Sequence, residues 1–517
     1  MSQIHLKLPG FNGAIFAMRQ TFKPKLQSGE IRISEVILDL DSRDDIPKVL
    51  RGLQQLLENQ GLCDEALKLL DGCLPKDVSR ETGRTGMDFW TILVLGVLRL
   101  ALNCDYDRIA ELANEHRTVR LILGHLMDDD ERYGRTTIIE NVSMVTPEVL
   151  EKISALIVKC GHELLGQTEA VLRGRCDSLV VETDVDYPTD ARILLDAMRR
   201  CLKACQRAKA AGISTWRQYL HQYEKLRDLY RRALKLRPSQ AKDQVKVEVR
   251  LQEIRAAYQV FLAHARDLEK RIEATLEALR ALDKDPCAVK LREEIERFLP
   301  HVHRQIDQIH RRVILDERIP HEEKVFSVFE SYTEWVNKGK AGVLVELGVR
   351  VAIVEDQFQF ILHHRVMSDE TDEKVAVKIV ENTKACFPNF RACSFDKGFY
   401  TPGNLIDLGK SLELVVLPKK GKWSEKDRER ETAEDFVAMR RQHPAVESAI
   451  NALEVHGLDR CLDHGLRGFN RYVAWAIVGR NLLTLGAIAM EKDREKRRIE
   501  ERRQKRSENL AHQRRAA

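Results

Sequence analysis

Hydrophobic and polar positions change period several times along the chain, and each change marks a different element. The stretch from Asp88 to Leu100 (Asp-Phe-Trp-Thr-Ile-Leu-Val-Leu-Gly-Val-Leu-Arg-Leu) is apolar on nearly every face, so it predicts a buried helix. Asn103 and Asp105 break it, and a helix from Tyr106 to Asn114 and a segment from Val119 to Gly124 follow. Short helices with tight turns suit either a helix-turn-helix or a plain bundle. Around Arg175–Thr183 the helical period vanishes into a β-branched run, which predicts a strand ending before Pro188. Thr189 or Asp190 is placed to cap the next helix.

From about 190 to 315 the pattern is amphipathic and highly charged, with Leu194, Leu195, Met198 and Leu202 at helical steps. Gly212 and Pro238-Ser239 are expected breaks. Strand patterns resume near 325, with a hairpin over 343–354 and 358–366, then a helix over 371–386 and a strand leading to Asp396. A helix over 402–410, a strand over 412–417, a charged helix over 425–440, a helix opened by Pro444 and ended by Gly457, and an apolar helix over 467–490 complete the order.

Composition narrows the class. A chain of 517 residues with 43% hydrophobic and 32% charged residues has room for several cores and much exposed helix. No apolar run of about 18 residues is evident, so no membrane span is expected. The start, Met1-Ser2-Gln3-Ile4-His5, lacks signal-peptide order. Eleven scattered cysteines without a Cys-x-x-Cys pair point to reduced, buried thiols and a cytoplasmic location, with a zinc site at Cys201 and Cys205 the lesser alternative. The net charge of +5 is ordinary, but residues 191–240 hold 13 Lys/Arg against 3 Asp/Glu, and Trp216, Tyr219, Tyr223 and Tyr230 lie among them. Clustered cations neutralise phosphates and aromatic rings can stack on bases, although a solvated helix face with core aromatics has the same composition.

Three carboxylates carry the candidate chemistry. Asp177 sits in the first strand, Asp396 at the strand end in Cys393-Ser394-Phe395-Asp396-Lys397-Gly398-Phe399-Tyr400, and Glu447 on a later helix. Two neighbouring strands and a packed helix can converge such acids, and hard oxygen ligands suit two Mg²⁺ ions, with Mn²⁺ able to substitute. Asp184 and Asp186 compete with Asp177, but alternation puts Asp184 on the opposite face. Glu454 competes with Glu447, and Asp396 also fits a simple turn-forming role before Lys397-Gly398. The element order is compatible with an α/β catalytic core, ribonuclease-H-like, with a large helical insertion and an all-α N-terminal region. The expected divisions are a flexible lead over 1–30, a helical domain over 31–165, a catalytic domain over 166–190 and 325–490, the insertion over 191–324, and a basic tail over 491–517.

At these residues the chain resembles the DDE transposases of bacterial insertion sequences, most closely the ISNCY-type group. The resemblance is carried by Asp177–Thr183 with Tyr187-Pro188-Thr189-Asp190, by Lys338-Gly339-Lys340-Ala341-Gly342, by Phe395–Tyr400, and by His443–Glu454. It implies that Asp177, Asp396 and Glu447 are catalytic and hold the metal ions. It implies that the all-α N-terminal region is a DNA-binding region, and that double-stranded DNA is bound, at element ends and target, by a homo-oligomer at the bacterial nucleoid without a membrane. The candidate DNA contacts are Arg199, Arg200, Lys203, Arg207, Lys209, Trp216, Arg217, Lys397, Lys419, Lys420, Arg440 and Arg441. The Lys that some related transposases carry after the helix acid is missing, and His456 or Arg460 is the candidate replacement. The competing readings are a nuclease of the same fold that never joins strands, a retired transposase that only binds DNA, and a helical scaffold.

Overall fold

The computed structural model describes residues 32–74, 86–126, 129–213, 216, 218–240, 242–337 and 345–516. The expected lead, the Lys338–Gly342 segment and Arg217 lie outside the described residues. The protein is mixed α/β and mostly helical, with a mixed sheet, and its chain divides into two compact units. The first comprises residues 1–182 and 349–517, the second 183–348.

In the first unit the helix Phe89–Ala101 is buried along its whole length, as its all-round apolarity requires. Asp88 caps it by accepting from the Thr91 amide at 2.8 Å. The helix Asp45–Glu58 crosses the long helix Gly465–Ala516 at a point where no side chain fits. A Cβ on Gly486 would fall 1.8 Å from the Lys48 carbonyl oxygen, and one on Gly52 2.3 Å from that of Leu482. Two glycines therefore permit backbone-to-backbone packing there.

The long helix corrects one expectation. Its first part does contain a stretch of mean hydropathy 1.5, long enough to span a membrane, but 83% of that stretch is buried inside the protein. The basic tail continues the same helix to Ala516. The charged segment over 425–440 is two helices, Glu425–Thr432 and Glu434–Gln442, separated at Ala433.

The strands are β1 (Leu172–Thr183), β2 (Glu334–Asn337), β3 (Val345–Glu355), β4 (Ile361–Met367), β5 (Phe390–Phe395), β6 (Leu414–Val416) and β7 (Arg460–Cys461). In the first unit β3, β1, β5 and β6 lie side by side in that order, β4 pairs with β3 and β7 with β1. β1–β5 and β5–β6 are parallel, and the β3–β4 hairpin is antiparallel. Parallel neighbours need a crossover, which the helices Asp372–Cys386 and Pro402–Ser411 supply.

The second unit is a helical bundle of Asp190–Arg207, Tyr219–Lys235, Gln244–Arg280 and Pro286–Ile309. Thr189 is the cap of the first helix, accepting from the Arg192 amide. Leu194, Leu195, Met198 and Leu202 enter one core with Phe261, Leu262, Leu291 and Phe298. β2 pairs antiparallel with residues 345–348 of β3.

Candidate active site

The geometry begins with register. On β1 and β5, Gly174 faces Cys393, Arg175 faces Ser394 and Cys176 faces Phe395. The next residue in each case is an acid, Asp177 within β1 and Asp396 just past the end of β5. Side chains alternate along a strand, so Asp177 shares the face of Arg175 and Asp396 that of Ser394. The two carboxylates thus leave neighbouring parallel strands at equivalent positions.

Glu447 comes from the first turn of the helix Ala445–Leu453, which buries Val446, Ala449 and Leu453 and leaves Glu447 exposed. A hydrogen bond ties this helix entry to the sheet: the Ser394 hydroxyl lies 3.0 Å from Nδ1 of His443. The same hydroxyl is 3.4 Å from the Gly174 carbonyl oxygen.

Electrostatics join the acids. The Asp177 carboxyl is pushed up to about 6, first by burial and then by the charges of Asp396, Asp372 and Glu447, while the Ser178 amide works the other way. His443 is lowered, chiefly by burial and also by Arg175 and Arg440, against the pull of Asp396 and Glu447. Asp177, Asp396 and Glu447 therefore act on a common neighbourhood, with Asp396 and Glu447 open to solvent.

Asp372 is a fourth carboxylate, one that the sequence does not single out. It opens the helix Asp372–Cys386, and a first-turn acid looks like an ordinary complement to the helix dipole. Its Oδ1 is enclosed without a hydrogen-bond partner, and a Cβ on Gly398 would stand 3.1 Å from its Oδ2. Gly398 in turn donates its amide to Asp396 Oδ2 at 3.3 Å. Asp396 thus also plays the turn-forming part that its sequence allowed.

The donor set suits a hard divalent cation: carboxylate oxygens, partly solvated, with mutual repulsion that a cation relieves. The oxygens of Asp177, Asp396 and Glu447 do not all lie within 4.8 Å of one another. Among the described residues that holds for His125, Asp129 and Glu131. There, however, Nδ1 of His125 is bonded to Asp129 at 2.8 Å and Nε2 to the Tyr133 hydroxyl at 2.6 Å, so both ring nitrogens are used. A pair of metal ions about 3.5–4 Å apart spreads its ligands more widely than one ion does.

The basic candidates separate into groups. Arg199, Lys203, Lys209, Lys397, Lys420 and Arg441 are exposed. Arg200 and Arg207 pair with Glu294 at 2.9 and 3.3 Å. Lys419 pairs with Asp427, and Arg440 lies 3.4 Å from the buried Glu431. Lys420 reaches the Gly398 carbonyl at 3.2 Å, which draws the loop after β6 over the Asp396 turn.

Trp216 does not fit the stacking role expected of it. It is buried, donates its indole N–H to Thr275 at 2.8 Å, and is covered by Arg271 at 4.2 Å. Arg120, in the N-terminal helices, is buried and bonded to the carbonyls of Asn114, Asp129 and Glu131. Cys201 and Cys205 are buried free thiols, both raised by desolvation. His456 lines a cavity of about 430 Å³ with Asp45, Lys48, Arg480 and Thr484, and Arg460 lies 3.7 Å from Glu182.

No protein-family model, curated protein or solved structure matches the chain.

Proposed function

We propose that this protein is a metal-dependent enzyme that cuts and rejoins DNA, a DDE transposase of the ISNCY-type group with a ribonuclease-H-like core. The observation that carries the reading is the placement of Asp177 and Asp396 one step beyond the last register pair of two parallel strands, with Glu447 within electrostatic reach. The resemblance in the motifs around the same three residues supports it.

Asp177, Asp396 and Glu447 would hold two Mg²⁺ ions, and Asp372 adds negative charge beside them. When bound, the ions supply polarisation and charge neutralisation for an in-line displacement at phosphorus. The chain's own residues do the rest. Lys397, Lys420 and Arg441, exposed on the first unit, neutralise backbone phosphates. Arg199, Lys203 and Lys209 offer a second cationic surface on the helical unit. Holding the scissile phosphate in line with a water, and later with a DNA 3′-hydroxyl, converts a bimolecular encounter into a positioned one.

The test is DNA cleavage and joining. Supercoiled plasmid carrying the sequences that flank this coding region is incubated with the protein and Mg²⁺. Nicking at the flanks, and joining of a pre-cleaved flank to a second DNA, are expected. Absence of both, with DNA still bound, would overturn the reading. Nicking without joining would leave a hydrolase in its place.

A further inference from the structure

Ser394 is fully buried on β5, two residues before Asp396. Its hydroxyl lies 3.4 Å from the carbonyl of Gly174, three residues before Asp177. It also lies 3.0 Å from Nδ1 of His443, four residues before Glu447. One hydroxyl therefore joins the two acid-bearing strands to the turn that leads into the Glu447 helix.

The bonding order follows from the atoms. Ser394 has one hydroxyl hydrogen, and giving it to the Gly174 carbonyl, which can only accept, is the arrangement that makes both contacts hydrogen bonds. Its lone pairs are then open to an Nδ1–H of His443, which leaves Nε2 turned away from the bond. A protonated His443 would keep the same Nδ1–H donor.

The helix Ala445–Leu453 needs such a tie. It has nine residues, only three of them buried, and it presents Glu447 toward other negative charges. Repulsion among carboxylates pushes the helix entry outward, and the Ser394–His443 bond opposes that at the turn before the helix.

We propose that Ser394 and His443 are a positioning pair that holds Glu447 in range of Asp177 and Asp396 for divalent-cation binding. The inference rests on the metal-site reading above and deepens it. Neither residue need touch the metal or the DNA. Supporting groups of this kind orient ligands, and their loss typically weakens metal binding by about tenfold or more.

The test is Mn²⁺ binding to the full chain by titration calorimetry, without DNA. Asp396→Asn is expected to weaken binding strongly. His443→Ala and Ser394→Ala are each expected to weaken it about tenfold. The double variant should cost no more than Ser394→Ala alone, because loss of the hydroxyl already removes the bond that His443→Ala removes. His443→Asn, whose amide nitrogen can stand where Nδ1 stood, should recover most of the affinity. If His443→Ala unfolds the protein, Ser394→Ala decides, since it removes the same bond and leaves the helix entry intact. Full Mn²⁺ affinity in folded His443→Ala and Ser394→Ala, with affinity lost in Asp396→Asn, would overturn the pair and leave the site. Full affinity in Asp396→Asn as well would overturn the site, and the pair with it.

Discussion

Cys176 stands opposite Phe395 in the last register pair between β1 and β5, and an aspartate follows each of them. Parallel pairing brings together residues 219 positions apart and points them to one face. On the proposed function, Asp396→Asn should abolish DNA cleavage while DNA binding persists. A loss of about a hundredfold or more is expected for removing such a charge from a reacting centre. A gel-shift assay and a nicking assay on the same preparation check it, and equal nicking by variant and parent would refute the assignment.

Asp177 should show its surroundings in the pH dependence of stability. Its carboxyl is raised from 3.8 to about 6, so the folded state holds this proton more tightly than the unfolded chain does. The resulting stabilisation is fully present below about pH 4 and is lost as the pH rises through about 6. The penalty at neutral pH is at most roughly 3 kcal/mol. In EDTA at pH 7.5, Asp177→Asn should melt above the parent, and the gap should close at pH 4. A parent that stays more stable at pH 7.5 would contradict the repulsion argued here.

Arg99 and Asp463 form an enclosed ion pair at 2.8 Å, with side chains 4% and 11% exposed. Tyr106 accepts from the same guanidinium at 3.1 Å. Asp463→Ala strands a buried cation and should cost about 3–5 kcal/mol. Glu111→Ala removes the exposed partner of Arg108, where water already screens the pair, and should leave stability almost unchanged. Urea denaturation of the two variants measures the contrast.

Two glycine substitutions should move stability in opposite directions. Gly486→Ala forces a methyl against the Lys48 carbonyl, where overpacking costs about 1–3 kcal/mol or more. Gly409 lies in the helix Pro402–Ser411, and the space its Cβ would take is open to 4 Å. Gly409→Ala should therefore gain about 0.4–1 kcal/mol. Melting temperatures of the two variants report the signs.

The exposed cations of the helical unit should be visible in salt dependence. Replacing Arg199, Lys203 and Lys209 by alanine should weaken DNA binding. It should also flatten the plot of log affinity against log salt by about 0.9 for each phosphate no longer neutralised. Trp216→Ala should instead destabilise the unit, because its indole is packed beneath Arg271. An unchanged salt slope in the triple variant would remove this face from the DNA-binding surface.

Much of the local structure was legible in the chain because its causes are local. The all-round apolar run beginning at Phe89 had to be a buried helix. The β-branched run around Val180 had to be a strand, and Gly457, at φ 96°, breaks the helical path a few residues beyond Leu453, where an L side chain would be strained. The positions of Asp177 on a strand, Asp396 at a strand end and Glu447 on a helix followed from the same periodicities.

What the tertiary structure decided were the relations that have no local cause. Asp372 looked like a helix-start acid, and only the packing of its helix on the Asp396 turn put it beside Asp177. Trp216 and Arg120 carried the residue types of nucleic-acid contacts, yet core packing and buried hydrogen bonds claimed both. The Ser394–His443 bond joins residues 49 positions apart, and the long apolar stretch of the last helix is covered by protein. A periodicity records which side of an element is apolar; which partner covers that side depends on contacts between segments distant in sequence, and those exist only once the chain has folded.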